Sequence, residues 1–404
     1  MIGTRLTLDV GEIAHGGHAV ARHEGRVVFV RHALTGEVVE AVVTKGKEGD
    51  RFVFADAVEV RTPSAHRVEP RCPASGPGGC GGCDFQHVDL AFQRELKSRV
   101  VAEQLRRLGG IDRDVVVEAV PGDDEGLRWR TRMELAVDRK GRAGLRRFRS
   151  RDVVPLTDCP IAVEAVAATG VFGRRWPGSR GVDVVVPSEG EPKVVPLPGG
   201  VQRAGTVTET VVIDGEQPFE GRFRVPTRGF WQVHPGAAAT LVGAVLDGVR
   251  PLAGESCLDL YAGVGLFASA LADAVGSSGA VVAVESDEAS IAAAKRNFHA
   301  QPHVRIVQAC TERALTAPDL GHMDVVVLDP PRSGAGAEVI EAIASLAPRV
   351  VAYVACDPAA LARDLATARA AGYELDTLRA FDLFPMTHHV ECVAILRQAG
   401  VSGP

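Results

Sequence analysis

Three sets of residues in this chain have the types and spacing to do chemistry. Cys356 closes the run "VAYVACDPAA", where small apolar residues meet Asp-Pro. Free cysteine often only fills a core, but a thiol where a strand gives way to a helix is also a candidate nucleophile. Glu391 stands in "THHVECVAIL", flanked by His388 and His389. Upstream, Cys72, Cys80 and Cys83 in "CPASGPGGCGGC" join Cys159 in "TDCPIA" as four thiols, one pair with the C-x-x-C bite. Four thiolates suit tetrahedral zinc or an iron–sulfur cluster, and spacing alone leaves both open.

The elements around these residues are legible in outline. From "FWQVHPGAAATLVGAVLDGV" onward the chain repeats apolar strand, turn and alanine-rich helix. That alternation indicates a mostly parallel, doubly wound α/β sheet of the Rossmann type, with helices on both faces. Ligands of such sheets sit beyond the carboxyl ends of the strands. There, "YAGVGLFA" places Gly263 and Gly265 for close backbone approach, and "VVAVESD" ends a strand in Glu285, an acceptor for ribose hydroxyls. A nicotinamide or an S-adenosylmethionine site would use both. Asp329 in "LDPPRSG" decides for S-adenosylmethionine, because an acid followed by two prolines makes a rigid rim loop of the kind nucleobase methyltransferases use.

Cys356 then falls on the same rim, with Asp357 as helix N-cap and Pro358 at the first helical position. The helix dipole favours its thiolate and the Asp357 charge opposes it. "FPMTHHVECVAILRQ" is a strand with no helix after it, and an antiparallel course would carry Glu391 toward Cys356. A thiolate, a carboxylate base and a methyl donor are what methylation at carbon 5 of a pyrimidine needs. The thiolate adds to carbon 6, and the base later removes the carbon-5 proton.

"CLDLYAGVGLF", "LDPPRSG", "ACDPAALARDL", "THHVE" and "FWQVHP" together resemble the signatures of the RNA uracil-C5 methyltransferases. The resemblance implies Gln232, Tyr261, Glu285 and Asp329 as contacts to S-adenosylmethionine, Cys356 as nucleophile and Glu391 as proton acceptor. It also implies a 4Fe-4S cluster on the four upstream cysteines, as in the 23S ribosomal RNA branch; a first gap two residues longer keeps zinc as the alternative. His234 and Leu266 depart from the residues common in the family at those positions.

The first sixty residues alternate in five short strands with Gly-containing turns, which suggests a small β-barrel similar to the TRAM domain. Three domains follow: residues 1–62 as an RNA-binding barrel, 63–229 as a cysteine-cluster and β-rich central domain, and 230–404 as the methyltransferase. A helix is expected from Val88 to Leu108.

With 404 residues, 46% of them hydrophobic, the chain can bury large cores without disulfides. A net charge of -6 argues against coating nucleic acid over the whole surface, yet Arg128 to Arg151 holds ten basic residues against two acidic ones and is a candidate RNA-facing strip. No stretch is long and apolar enough to span a membrane and no signal peptide opens the chain, so a cytoplasmic monomer is expected. Cys257, Cys310 and Cys392 are expected in the core, and Phe85, Phe230 or Trp231 to stack on an extruded base.

Cytosine-C5 methylation is the nearest rival, but its enzymes carry a cysteine in the "DPP" loop where this chain has Arg332. Arg332 also stands where adenine-N6 methyltransferases place a stacking aromatic. A non-catalytic RNA-binding protein would leave the rim residues without a use.

Overall fold

The computed structural model describes residues 1–198, 205–318 and 320–400. The first five strands are β1 (Arg5–Ala14), β2 (His18–His23), β3 (Arg26–Arg31), β4 (Val38–Lys45) and β5 (Phe52–Thr62), and they close into a barrel in the order β1-β2-β3-β5-β4. Alternation sets its inside: Leu6, Leu8, Val28, Val30, Val39, Val53 and Ala55 fill the interior while their neighbours face outward.

Helix α1 (Leu90–Gln104) follows the cysteine loop. Asp89 caps it by accepting from the Phe92 N–H, and Leu105–Gly109 continues it as a π turn that stops at Gly110 in the left-handed conformation. β6 (Val117–Glu118) comes next. A five-stranded sheet then forms from β7 (Arg132–Val137), β8 (Ala143–Arg146), β9 (Val153–Pro155), β10 (Gly181–Val185) and β11 (Lys193–Leu197), with the short α2 (Glu164–Ala168) between β9 and β10. β12 (Thr206–Ile213) and β13 (Phe219–Pro226) make a hairpin, tied to that sheet by the buried Arg132–Glu209 pair at 2.8 Å.

The remaining elements are α3 (Ala237–Val249), β14 (Ser256–Leu260), α4 (Leu266–Val275), β15 (Ala280–Glu285), α5 (Glu288–Asn297), β16 (Val304–Gln308), α6 (Thr311–Leu315), β17 (Val325–Leu328), α7 (Ala337–Ser345), β18 (Val350–Ala355), α8 (Pro358–Ala370), β19 (Tyr373–Phe381) and β20 (Glu391–Gln398). Their sheet runs β16-β15-β14-β17-β18-β20-β19-β6, parallel through the first five strands and antiparallel from β18 to β20 to β19.

Alternate residues of each central strand feed two separate cores. Cys257, Val281, Val325, Ala352 and Ile395 face α3, α4 and α5; Leu258, Val282, Val326, Tyr353 and Leu396 face α1, α6, α7 and α8. Both faces are therefore covered, as near-continuous apolar strands require. β6 and α1 lie in the stretch read from sequence as part of the central domain, yet β6 extends the C-terminal sheet and α1 packs on its second core.

Candidate active site on the sheet rim

The strand order reverses between β14 and β17, so a ligand crevice opens beyond their carboxyl ends. The turn after β14 is built for close approach. Tyr261, Gly263 and Gly265 all take positive φ, and a side chain at Gly265 would lie 2.3 Å from the Phe298 ring. At Gly263 a side chain would meet nothing within 4 Å, so that peptide faces open space. Glu285, at the end of β15, accepts from the Gly263 N–H at 2.8 Å and from the N–H groups of Ser286 and Asp287. Beneath the turn, buried Asp259 accepts from the Ala268 N–H at the start of α4; burial pushes its carboxyl up to about 8. Leu266, the first residue of α4, is buried.

On the other side of the reversal, residues 329–336 leave β17. Asp364 on α8 holds this loop, accepting from the N–H groups of Ala335 (2.8 Å) and Gly336 and from the Tyr353 hydroxyl (2.7 Å). Sequence reading missed Asp364; its position about two turns beyond the Asp357 N-cap was the available signal.

Cys356 follows β18, and Asp357 caps α8 by accepting from the Ala360 N–H with Pro358 in the first turn. β20 runs antiparallel to β18 with Cys392 opposite Ala355, so Glu391 stands opposite Cys356. Glu391 is buried and Cys356 half-buried. Burial, then the charges of Glu391 and Asp329, push the Cys356 thiol up to about 12, with Arg332 pulling the other way. The opposition expected from Asp357 therefore comes from the two other acids. Glu391 itself is raised by burial and by Asp329, and Asp329 by burial.

Glu391 is delivered by the loop after β19, which α1 grips. Buried Lys97 pairs with Asp382 at 2.5 Å and donates to the Phe384 carbonyl; Gln93 accepts from the Met386 N–H. Asp84 binds the His388 ring at 2.6 Å, and the His388 and His389 rings meet tilted, with centroids 4.1 Å apart. The barrel reaches this rim too: His15 stands 3.1 Å from Asp357, and Gly17 packs against the His388 side chain.

Gln232 is half-buried on the loop leading to α3, held where Thr131 donates to the Val233 carbonyl, and among the described residues no hydrogen bond joins its side chain to the crevice. His234 is buried against Trp129, its Nδ1 accepting from the Gly236 N–H; it shapes this loop. Of the three aromatic candidates for stacking, Phe85 and Trp231 are buried and only Phe230 is exposed. Cys257 and Cys392 lie in the core as expected, but Cys310 is exposed, because it falls past the end of β16 at the N-cap of α6.

Cys72, Cys80, Cys83 and Cys159 line one small cavity with Leu145, Leu156 and Ile161. Burial raises the Cys80, Cys83 and Cys159 thiols, and their neighbouring thiols raise them further. Among the described residues, no three His, Cys, Asp or Glu stand at the spacing of a single-ion site. The Arg128–Arg151 strip divides in two. Arg128, Arg132 and Arg142 are spent on Asp158, Glu209 and Asp138, whereas Arg146, Arg147, Arg149 and Arg151 are exposed.

With this geometry in place, the relatives can be compared. Residues 204–399 match the model of the tRNA (Uracil-5-)-methyltransferase family, and residues 1–58 match the TRAM domain. An RNA methyltransferase of Streptomyces avermitilis is 47% identical over 98% of this chain and 99% of its own length. The chain belongs to the RNA uracil-C5 methyltransferase family. Another family member, an RNA methyltransferase of Streptomyces coelicolor, is 47% identical over 99% of this chain and 94% of its own length. This methyltransferase shares its fold with the Pyrococcus abyssi tRNA (uracil-54, C5)-methyltransferase, solved in complex with S-adenosyl-L-homocysteine. That match has TM-score 0.66 and 22% identity, over 96% of this chain and 99% of the other. Among the described residues, no helix is long and apolar enough to cross a membrane.

Proposed function

We propose that this enzyme methylates carbon 5 of a uridine in RNA through a covalent bond between Cys356 and carbon 6. The observation that carries the reading is the placement of Cys356 opposite Glu391, beside Asp329 and Arg332, on the rim of a crevice that a glycine turn leaves open. S-adenosylmethionine supplies the electrophilic methyl group. Gly263 and Glu285 fit it, one by its open peptide and the other by its carboxylate at the strand end, and Tyr261, Gly265, Gln232 and Asp329 complete the proposed contacts.

The chain's own groups do the rest. The Cys356 thiolate, favoured by the Arg332 charge, adds to carbon 6 and pushes electrons into an enolate. Carbon 5 takes the methyl group. Glu391, its carboxyl raised by burial and by Asp329, then removes the carbon-5 proton, and the returning electron pair expels the thiolate and restores the ring double bond.

The four upstream cysteines are the proposed ligands of a 4Fe-4S cluster. Their convergence on one cavity supports a soft, cationic group there, with zinc as the alternative. Such a group would hold the cysteine loop against β8; no catalytic step depends on it. The barrel and the cysteine quartet support 23S ribosomal RNA as the target. Transfer RNA is the second reading, favoured by the description of the matching family and by the Pyrococcus relative. Removing the gene and measuring 5-methyluridine by mass spectrometry in purified 23S and transfer RNA tests both. Loss from 23S RNA is expected, loss from transfer RNA would move the assignment, and an unchanged level in both would refute the reaction.

A further inference from the structure

The outer face of the barrel carries aromatic rings where solvent-facing strand positions ordinarily carry polar groups. β3 and β5 pair in parallel with Phe29 opposite Phe54, and Phe52 lies two residues along on the same face; Val28, Val30, Val53 and Ala55 point inward between them. Phe29 and Phe54 stack at 5.3 Å and 27°, and Phe52, half exposed, meets both edge-on at 5.8 and 5.9 Å.

A fourth ring comes from the central region. Phe148 sits beyond β8, where Gly81 of the cysteine loop packs on its backbone, and the His18 ring touches Phe29, Phe54 and Phe148. Cations are interleaved with these rings: Arg149 lies 4.7 Å over Phe54 and 5.1 Å over Phe148, Lys45 5.7 Å over Phe54, and Arg31 3.7 Å over Phe148.

The patch is continuous with the catalytic rim. Gly17, beside His18, packs on His388, and Arg31 pairs with Asp84, which holds His388. Phe29 and His15 are also walls of one groove of about 1130 Å³ between the barrel and α1. In that groove Arg99 and Arg107 are paired with Glu12 and Glu103, while Arg22 and Arg106 make no ion pair among the described residues.

Rings set among cations fit a ligand that is flat, apolar on its faces and anionic along its backbone; the acids of this face, Asp56 and Asp84, are turned to Arg31. We propose that Phe29, Phe52, Phe54 and Phe148 form a stacking platform for unpaired bases of the RNA flanking the target uridine, with Lys45 and Arg149 on its phosphates. A duplex hides its base faces and would meet only the cations, so the platform selects a single-stranded or opened segment. The proposal rests on the reading of the enzyme as an RNA methyltransferase and specifies the form of RNA it takes.

The test uses the full chain and a fluorescein-labelled ten-nucleotide oligouridylate, followed by anisotropy. Phe52→Ala, at a half-exposed position, should weaken binding about 5- to 100-fold with an unchanged salt slope, and Phe52→Trp should restore it. Arg149→Ala should reduce the salt slope by about one. Binding of Phe52→Ala within twofold of the parent, or equal affinity for the oligouridylate paired with oligoadenylate, would overturn the platform. Methyl transfer to total RNA by the parent protein is read separately: transfer with a failed platform leaves the reaction standing, and no transfer at all refutes the reaction itself.

Discussion

The Nε2 of His15, at the tip of the barrel's first hairpin, stands 3.1 Å from Oδ2 of Asp357, the residue that follows Cys356 and caps α8. A domain read as an RNA-binding module thus touches the helix that positions the nucleophile. Burial alone would raise the Asp357 carboxyl, but His15 and the N–H groups of Ala360 and Ala359 outweigh it and hold the group below the ordinary value of 3.8. Stability from this depressed carboxyl is full above pH 3.8 and is lost only as pH falls through the lower folded value. His15→Ala should therefore lower kcat/KM for RNA several-fold near neutral pH with little change in Tm, the contact being partly exposed. Equal kcat/KM in the two proteins would show that the hairpin contact is passive.

The thiol of Cys356, pushed up to about 12, should be mostly protonated in the free enzyme at neutral pH. Iodoacetamide at pH 7.5 should modify exposed Cys310 well before Cys356, and Cys356 should gain reactivity as pH rises. Arg332→Ala should slow it further, because the guanidinium is the charge that favours the thiolate. Peptide mapping of the alkylated protein checks the order.

Lys97 and Asp382 are each 1% exposed and bond at 2.5 Å, so either alone is a stranded buried charge. Lys97→Met should destabilise the fold by roughly 3–5 kcal/mol. Adding Asp382→Leu should recover most of the loss. Urea titrations of the three proteins measure it, and a mild effect of Lys97→Met would mean that the Glu391 loop is anchored elsewhere.

Asp364 accepts from two backbone N–H groups and a tyrosine hydroxyl to fix the loop that carries Asp329 and Arg332. Asp364→Ala leaves the buried Tyr353 hydroxyl without its acceptor, at about 1–3 kcal/mol, and frees the less buried Ala335 and Gly336 N–H groups. A fall in kcat larger than the change in KM for S-adenosylmethionine is expected, since the loop's charges act on Cys356.

What the sequence made legible is local. Strand ends, the Gly263–Gly265 turn, the Asp357 cap and the five barrel strands follow from periodicity and from residue types that only certain backbone conformations accept. The antiparallel course of β20 could be posed as a condition, and it holds. Contacts between distant segments were not legible: His15 with Asp357, Lys97 with Asp382 and Asp84 with His388 join residues whose types are common and whose separation leaves no pattern. Composition also misled at the arginine strip, where three of the ten basic residues serve ion pairs within the chain, and at Cys310, which falls two residues past the end of β16 and is exposed.

Covalent attack by Cys356 on a uridine, released only when Glu391 removes the carbon-5 proton, is tested most directly with Glu391→Gln. The amide cannot accept that proton, so the methylated base should stay bound. Incubation with RNA and radiolabelled S-adenosylmethionine, followed by a denaturing gel, should show label in a protein–RNA species that disappears when Cys356→Ala is added to the variant. Free methylated RNA with no retained adduct would contradict the assignment of Glu391, and an adduct that survives Cys356→Ala would contradict the nucleophile.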